Sequence, residues 1–452
     1  MDMAVGGNAV AVPVRRGWIA AFEQATWVVP AIFALALVLR VLLVVLLPQQ
    51  PMSDGLWYMD RAGEIARGMG FQEGGRPTAF WPVGYPAALA GSMLMAGPGT
   101  LGPIALNLAA AVAILALMFR FGAMLGVDAL GMRIAALLYA LYPAHIAYTG
   151  QPFSETVSTA LLMAAFAALI AGRGRWWGLA GAGALFGLTT LMRAQAMLFP
   201  VGALIAMALC LKDFGWRGAL RAVLPVYLAL AAVVLPWSIR NTVEMGSFIP
   251  VSTNGGIALY YGANDRATGD WYEWERTPIW DQTGVGIPYR EHLVRQVELD
   301  QRFKALAKDW IVHHPARWLA LGARKVMLLW RKDGDGLWGI DATYPHLGAA
   351  FTAVQAANQL YYMGLLLFGF AALVMVAPAL WRREDTRAPL LLLGCMPAFV
   401  TLTAFGFTGQ VRYHYPAMPF LILLAGWSIA LLLRRRGTAG ANRQADGRPT
   451  TT

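Results

Sequence analysis

Asp54 is the first residue along this chain whose setting suits proton chemistry. It lies shortly beyond a long apolar run, beside Gly55 and ahead of the aromatic pair Trp57 and Tyr58. A carboxylate held against apolar walls is partly desolvated, so it binds a proton more readily and can serve as general base toward a positioned hydroxyl. The same place also suits Ser53 or Asp54 as the N-cap of a following helix. Glu155 is a second acid, in Tyr148-Thr149-Gly150-Gln151-Pro152-Phe153-Ser154-Glu155. It reads as a first-turn acid behind an N-cap at Ser154, or as a carboxylate facing Asp54 across a cavity, where it would bind a hydroxyl, a metal or an arginine. His145 reads as an interface or packing histidine.

Arginines supply the complementary chemistry. Arg193 falls in a hairpin between two apolar runs, Arg240 follows another, and Arg412 precedes the last one in Gly409-Gln410-Val411-Arg412-Tyr413-His414-Tyr415-Pro416. A guanidinium fork binds phosphate oxygens two at a time, so arginines arriving from different runs can converge on one phosphate. Arg40 lies inside the first apolar run near its end, where a long side chain is expected to snorkel to the interface.

The elements that must hold these groups are membrane spans. The chain is 58% hydrophobic and 13% charged over 452 residues, about half the charged fraction of a soluble domain. A bilayer core of about 30 Å needs about 20 apolar residues per helix. Candidate spans are 27–47, 101–122, 130–148, 154–171, 176–191, 195–211, 221–238, 351–379, 388–408 and 415–433. The stretch 83–97 is short and bracketed by Pro82, Pro86 and Pro98, and reads as an interfacial or half-buried helix. Cys210 and Cys395 both fall in apolar spans, which excludes a disulfide framework or thiolate metal site. The run from Trp27 to Leu47 is too long for a cleavable signal.

The net charge of +11 does not indicate nucleic acid. The excess lies in short loops (Arg15 and Arg16; Arg120 and Arg133; Arg173 and Arg175; Lys212, Arg217 and Arg221; Arg382, Arg383 and Arg387) and in Arg434-Arg435-Arg436. That is the positive-inside pattern. It divides the chain into a cytoplasmic segment 1–26, an N-terminal membrane module 27–238 with a first outer loop 48–82, an outer loop domain 239–350, C-terminal spans 351–433, and a disordered cytoplasmic tail 434–452. In the first outer loop, Leu56 to Arg67 has the spacing of an amphipathic helix on the membrane surface. The large loop holds a charged helical stretch near 288–313 and an amphipathic one near 316–331, broken at His313-His314-Pro315. Asp54, Glu155, Arg193, Arg240 and Arg412 all fall on the outer side.

No nucleotide-binding glycine loop, His/Cys metal cluster or serine nucleophile elbow occurs in the sequence. An enzyme facing away from the cytoplasm must draw an activated substrate from the membrane. A polyprenyl-phosphate sugar meets that need, with an anionic head for arginines, a tail for grooves between helices, and a phosphate leaving group.

These residues resemble the integral-membrane GT-C glycosyltransferases, nearest to protein O-mannosyltransferases, aminoarabinose transferases to lipid A and galacturonosyltransferase-like proteins. The resemblance covers residues 27–270 and 405–433. It rests on Asp54, Tyr58, Ala62, Ala66 and Gly68; on Trp81-Pro82-Val83-Gly84-Tyr85-Pro86; on Tyr142-Pro143 leading to Ser154-Glu155; on Leu191-Met192-Arg193; on Trp237-Ser238-Ile239-Arg240-Asn241 with Gly246-Ser247-Phe248-Ile249-Pro250 and Gly255 to Gly262; and on Arg412-Tyr413-His414-Tyr415-Pro416. The mannosyltransferases carry adjacent acids where Asp54 is followed by Gly55, and the aminoarabinose branch has a lysine where Trp81 stands.

The resemblance implies an all-α polytopic membrane protein, a GT-C-type bundle of ten or so transmembrane helices with interfacial helices in the first outer loop. It implies Asp54 as catalytic base and Arg193, Arg240 and Arg412 on the donor phosphate. Tyr58, Arg61, Glu155, Asn254 and Tyr260 would position sugar or acceptor. The expected partners are a polyprenyl-phosphate sugar donor, a lipid, glycan or protein acceptor, and membrane lipids, in a bacterial inner membrane with the site facing the periplasm. No metal site is assigned, and a need for a divalent cation is left open. The competing readings are an O-antigen-ligase-like transferase working through Arg290, His313 and Arg317 in the large loop, and a transporter.

Overall fold

In the computed structural model, residues 18–270, 294–382 and 387–445 are described. A short helix α1 (Trp18–Gln24) precedes α2 (Val28–Leu46), the first span. Loop 48–82 then carries α3 (Asp54–Ala66) and a two-residue hairpin of β1 (Gln72–Glu73) and β2 (Arg76–Pro77). The chain returns through α4 (Gly84–Ala96) to α5 (Leu101–Leu125). Next come α6 (Ala129–Leu141), α7 (Pro143–Ala147), α8 (Ser154–Gly172), α9 (Trp176–Met192), α10 (Phe199–Cys210) and α11 (Gly215–Met245). The large loop contributes α12 (Gly255–Tyr261), α13 (Gln296–His313), α14 (Pro315–Arg331) and α15 (Trp338–Thr343). The chain closes with α16 (Gly348–Val376), α17 (Pro378–Trp381), α18 (Cys395–Gly406) and α19 (Met418–Ala445).

Each of the ten apolar segments read from the sequence is helical, but they are not equivalent. Among the described residues seven helices are long and apolar enough to cross a membrane, or eight if the bent pair α6–α7 counts as one span. The 57° bend falls at Pro143, where proline withholds a backbone N–H and ends the first helix. The segments at 176–192 and 194–210 are shorter. α11 overruns its predicted limits at both ends despite Pro225 and Pro236. α19 runs on to Ala445, into the tail that the sequence suggested is disordered.

α9 packs between α8 and α11, and α19 packs between α6 and α16. This arrangement delivers the 3-10 turn Val411–Ala417, just ahead of α19, onto the start of α8. Apolar burial between helices supplies one continuous core from Val28 to Leu424. A second, smaller core joins α12 to α13 through Ile257, Tyr260, Leu299 and Phe303. Arg40 does not snorkel as expected. It is 1% exposed, turns inward to donate to Ala36 O at 3.0 Å, and lies over the Tyr139 ring. His145 is buried and stacks on Tyr415 with ring centroids 3.9 Å apart, the packing role its position suggested.

Candidate active site

The turn that leads into α3 is strained. Ser53 has φ 49° and ψ −125°, the sole positive φ at a non-glycine residue among those described. Such conformations cost about 1–3 kcal/mol and persist where surrounding contacts impose them. Ser53 makes no side-chain cap, and Asp54 is the acid of the first helical turn. Ser53 Oγ reaches Asp54 Oδ1 at 3.3 Å. The other oxygen, Oδ2, lies 2.6 Å from Arg412 Nη1.

Glu155 comes to the same place from α8. It is 1% exposed, and its Oε1 lies 2.5 Å from Arg193 Nη2 and 4.0 Å from Arg412 Nε. Arg193 sits at the break between α9 and a following 3-10 turn, and the same Nη2 donates to Ser154 Oγ at 3.1 Å. The close seating of α4 against the end of α9 helps fix that break. A Cβ on Gly84 would come within 2.6 Å of the Leu191 carbonyl, so only glycine permits the approach.

Tyr58, one turn beyond Asp54 on α3, forms the wall of the site with Trp81 at 5.5 Å and Tyr85 at 5.1 Å between ring centroids. Burial, reinforced by the Asp54 charge, pushes its phenol well above the usual range. Tyr58 therefore stays a neutral hydrogen-bond donor. Asp335, not singled out in the sequence, completes the cluster by accepting the Arg412 backbone N–H at 3.1 Å. Burial raises its carboxyl above the usual value, against the opposing pull of Arg412. Two carboxylates thus pair with two guanidiniums, and a third holds the backbone of Arg412.

The other expected site residues are placed elsewhere. Arg240 spends its fork on Thr78 O and Phe71 O, each at 2.7 Å, and stacks over Trp237. It ties the end of α11 to loop 48–82. Arg61 pairs with Glu64 at 2.7 Å and Glu73 at 3.4 Å, bracing α3 against the β1–β2 hairpin. Asn254 accepts from Ser252 Oγ ahead of α12, and Tyr260 packs on Phe303. Of the large-loop alternative, Arg290 lies outside the described residues. His313 and Arg317 are exposed and paired with Asp309 and Asp265.

Arg193 also lines a narrow cavity that runs between helices. Ser158, Leu162, Thr189, Met396, Phe399, Val400 and Tyr413 line it too. Gln195 and Thr403 add polar groups to its lining. Among the described residues no group of three or more His, Cys, Asp or Glu side chains is placed to hold a metal ion. Asp54 and Glu155 are instead neutralised by arginine.

No protein-family model matches the sequence, and no curated protein matches it. Solved structures do. The chain superposes on the Archaeoglobus fulgidus oligosaccharyltransferase AglB in complex with an inhibitory peptide and a dolichol-phosphate, with TM-score 0.52 and 13% identity over 95% of this chain and 53% of that one. An Archaeoglobus fulgidus oligosaccharyltransferase in complex with zinc and sulfate gives 0.54 and 14%, over 92% of this chain and 51% of that one. Its form tethered to an acceptor peptide gives 0.54 and 13%, over 96% and 53%. The chain spans about half the length of these structures. At this identity the likeness is one of fold: the chain shares the fold of part of these oligosaccharyltransferases.

Proposed function

We propose that this protein is a glycosyltransferase that moves a sugar from a polyprenyl-phosphate donor to an acceptor hydroxyl. The observation that carries the reading is the meeting of Asp54, Glu155, Arg193 and Arg412 in one ion-pair cluster, with Arg193 also lining an inter-helix cavity. Two guanidiniums beside a carboxylate fit the phosphate of a lipid donor and a base for its acceptor. The oligosaccharyltransferase of the same fold has been solved with a dolichol-phosphate, which supports a donor of that chemical class. The arginine-rich loops on the opposite side support a site on the periplasmic face of a bacterial inner membrane.

In this mechanism Asp54 takes the proton of the acceptor hydroxyl. The oxygen attacks the anomeric carbon, and the bond from that carbon to the phosphate oxygen breaks with inversion. The bonding pair leaves with the phosphate, whose charge Arg193 and Arg412 meet. Fixed donors of this kind contribute about 3 kcal/mol each to the transition state. Tyr58 and Glu155 orient the reacting groups. Before donor binds, Arg412 is spent on Asp54, so the arriving phosphate must draw the guanidinium away and thereby free the carboxylate as base.

The test is sugar transfer from a pool of polyprenyl-phosphate sugars by detergent-purified protein, with native membrane extract as acceptor, wild type beside Asp54→Asn. Removal of a general base is expected to cost about 100-fold or more with folding intact. Equal product from both proteins overturns the assignment of Asp54, and no product from either overturns the donor class.

A further inference from the structure

A second set of contacts lies behind the carboxylate–guanidinium cluster. Asp335 Oδ2 accepts the Arg412 backbone N–H at 3.1 Å, and Asp333 Oδ1 lies 3.4 Å from His414 Nε2. The two pairs run in opposite directions along the chain, 333 facing 414 and 335 facing 412. Loop 332–337 therefore clasps the arginine-bearing turn from behind, in antiparallel register.

Both halves of the clasp are anchored. Asp333 is buried, accepts the Tyr142 hydroxyl at 2.5 Å and the Asn358 amide, and donates its own N–H to Gln359 Oε1 at 3.1 Å. His414 donates from Nδ1 to Leu329 O at 2.9 Å and stacks against Tyr362 and Trp330. The Arg412 side chain is held differently. Its guanidinium touches Asp54, Gln410 Oε1 at 3.3 Å and, at the limit of an ion pair, Glu155. The backbone is fixed while the fork is left to exchange partners.

We infer that Asp335 and Asp333 are positioning residues for Arg412, holding its backbone in place while the donor phosphate displaces Asp54 from its guanidinium. The inference rests on the donor reading given above. Displacing a catalytic group by about 1 Å can cost about 100-fold in rate, so a turn whose side chain must switch partners gains from a rigid backbone. Burying a carboxylate is costly unless hydrogen bonds satisfy it, and the contacts of Asp333 meet that condition.

Two measurements on the full-length protein in detergent separate the clasp from its purpose. Hydrogen exchange of the peptide spanning 409–416 tests the clasp: Asp335→Ala speeds exchange at least tenfold, and Asp335→Asn, which keeps an oxygen for the Arg412 N–H, recovers most of the protection. Unchanged exchange in Asp335→Ala overturns the clasp whatever the activity. Affinity for a sugar-free polyprenyl phosphate tests the purpose. Asp335→Ala weakens it about tenfold, Asp335→Asn restores it, and in an Arg412→Ala background Asp335→Ala adds no further loss. An equal further loss in that background assigns Asp335 to stability alone and overturns the positioning role. A wild-type protein that protects 409–416 but binds no polyprenyl phosphate overturns the donor reading and the purpose drawn from it, leaving the clasp as a contact of the fold.

Discussion

The Arg412 guanidinium lies 2.6 Å from the Asp54 carboxylate, joining the turn before the last span to the first loop of the chain. Glu155 and Arg193 form a second pair at 2.5 Å beside it. The proposed base and the proposed phosphate ligands therefore neutralise one another until a substrate separates them.

Arg412→Lys keeps the charge and loses the fork. A lysine ammonium is a point charge that cannot meet a phosphate or carboxylate at two oxygens. Losing one preorganised donor costs about 100-fold or more, so kcat/KM for the lipid donor should fall by that order. Steady-state kinetics against donor concentration make the check, and an unchanged value would remove Arg412 from the donor site.

Glu155→Gln should destabilise the fold. Breaking one side of a buried ion pair costs about 3–5 kcal/mol, and the lower end applies because the Arg193 side chain keeps 16% exposure. Thermal unfolding in detergent reads the loss. Pairing the change with Arg193→Met should recover part of it, since the uncompensated guanidinium is then gone.

Gly336→Ala strikes the clasp sterically. A Cβ there would come within 2.6 Å of Ala144 O and 2.8 Å of the Tyr148 ring, forcing loop 332–337 outward at about 1–3 kcal/mol. A Cβ on Gly334 meets nothing within 4 Å, so Gly334→Ala should stay within about 0.5 kcal/mol of wild type. Equal melting temperatures for the two variants would contradict this packing.

Lys325 gives the fold a pH dependence at the alkaline end. It is fully buried, donates to Phe405 O at 3.3 Å, and burial lowers its ammonium from 10.5 to about 8. The unfolded chain then binds more protons than the folded one between about 8 and 10.5, so stability rises with pH across that window. Below about 8 both states are protonated and the cost of burying the charge is constant. The stability of wild type relative to Lys325→Met should therefore climb from pH 8 to 10 and stay level from pH 6 to 7.5. A flat difference throughout would place the amine in water.

Much of this molecule is written locally. Runs such as Val28–Leu46 and Leu101–Leu125 must become helices that satisfy their own backbone in an apolar medium, and the sequence alone marks them. The placing of Asp54 just beyond one span and of Glu155 in the first turn of another was equally legible, because hydropathy changes sharply there. Span limits were less so: the break at Pro143 and the overrun of α11 depend on which neighbours cover the freed backbone groups.

What partners each polar group takes was decided only in three dimensions. By sequence, Arg193, Arg240 and Arg412 are alike, each beside the end of an apolar run. The packing of α19 between α6 and α16 carries Arg412 onto Asp54, and the seating of α4 on α9 holds Arg193 near Glu155. The loop carbonyls of Phe71 and Thr78 meanwhile claim Arg240. Asp333 and Asp335, separated by one glycine after an amphipathic helix, gave a weak signal because a solvated turn has the same pattern. The reason is physical: hydropathy acts along the chain within a few residues, whereas a salt bridge between the first loop and the last span exists only once the helices between them have packed.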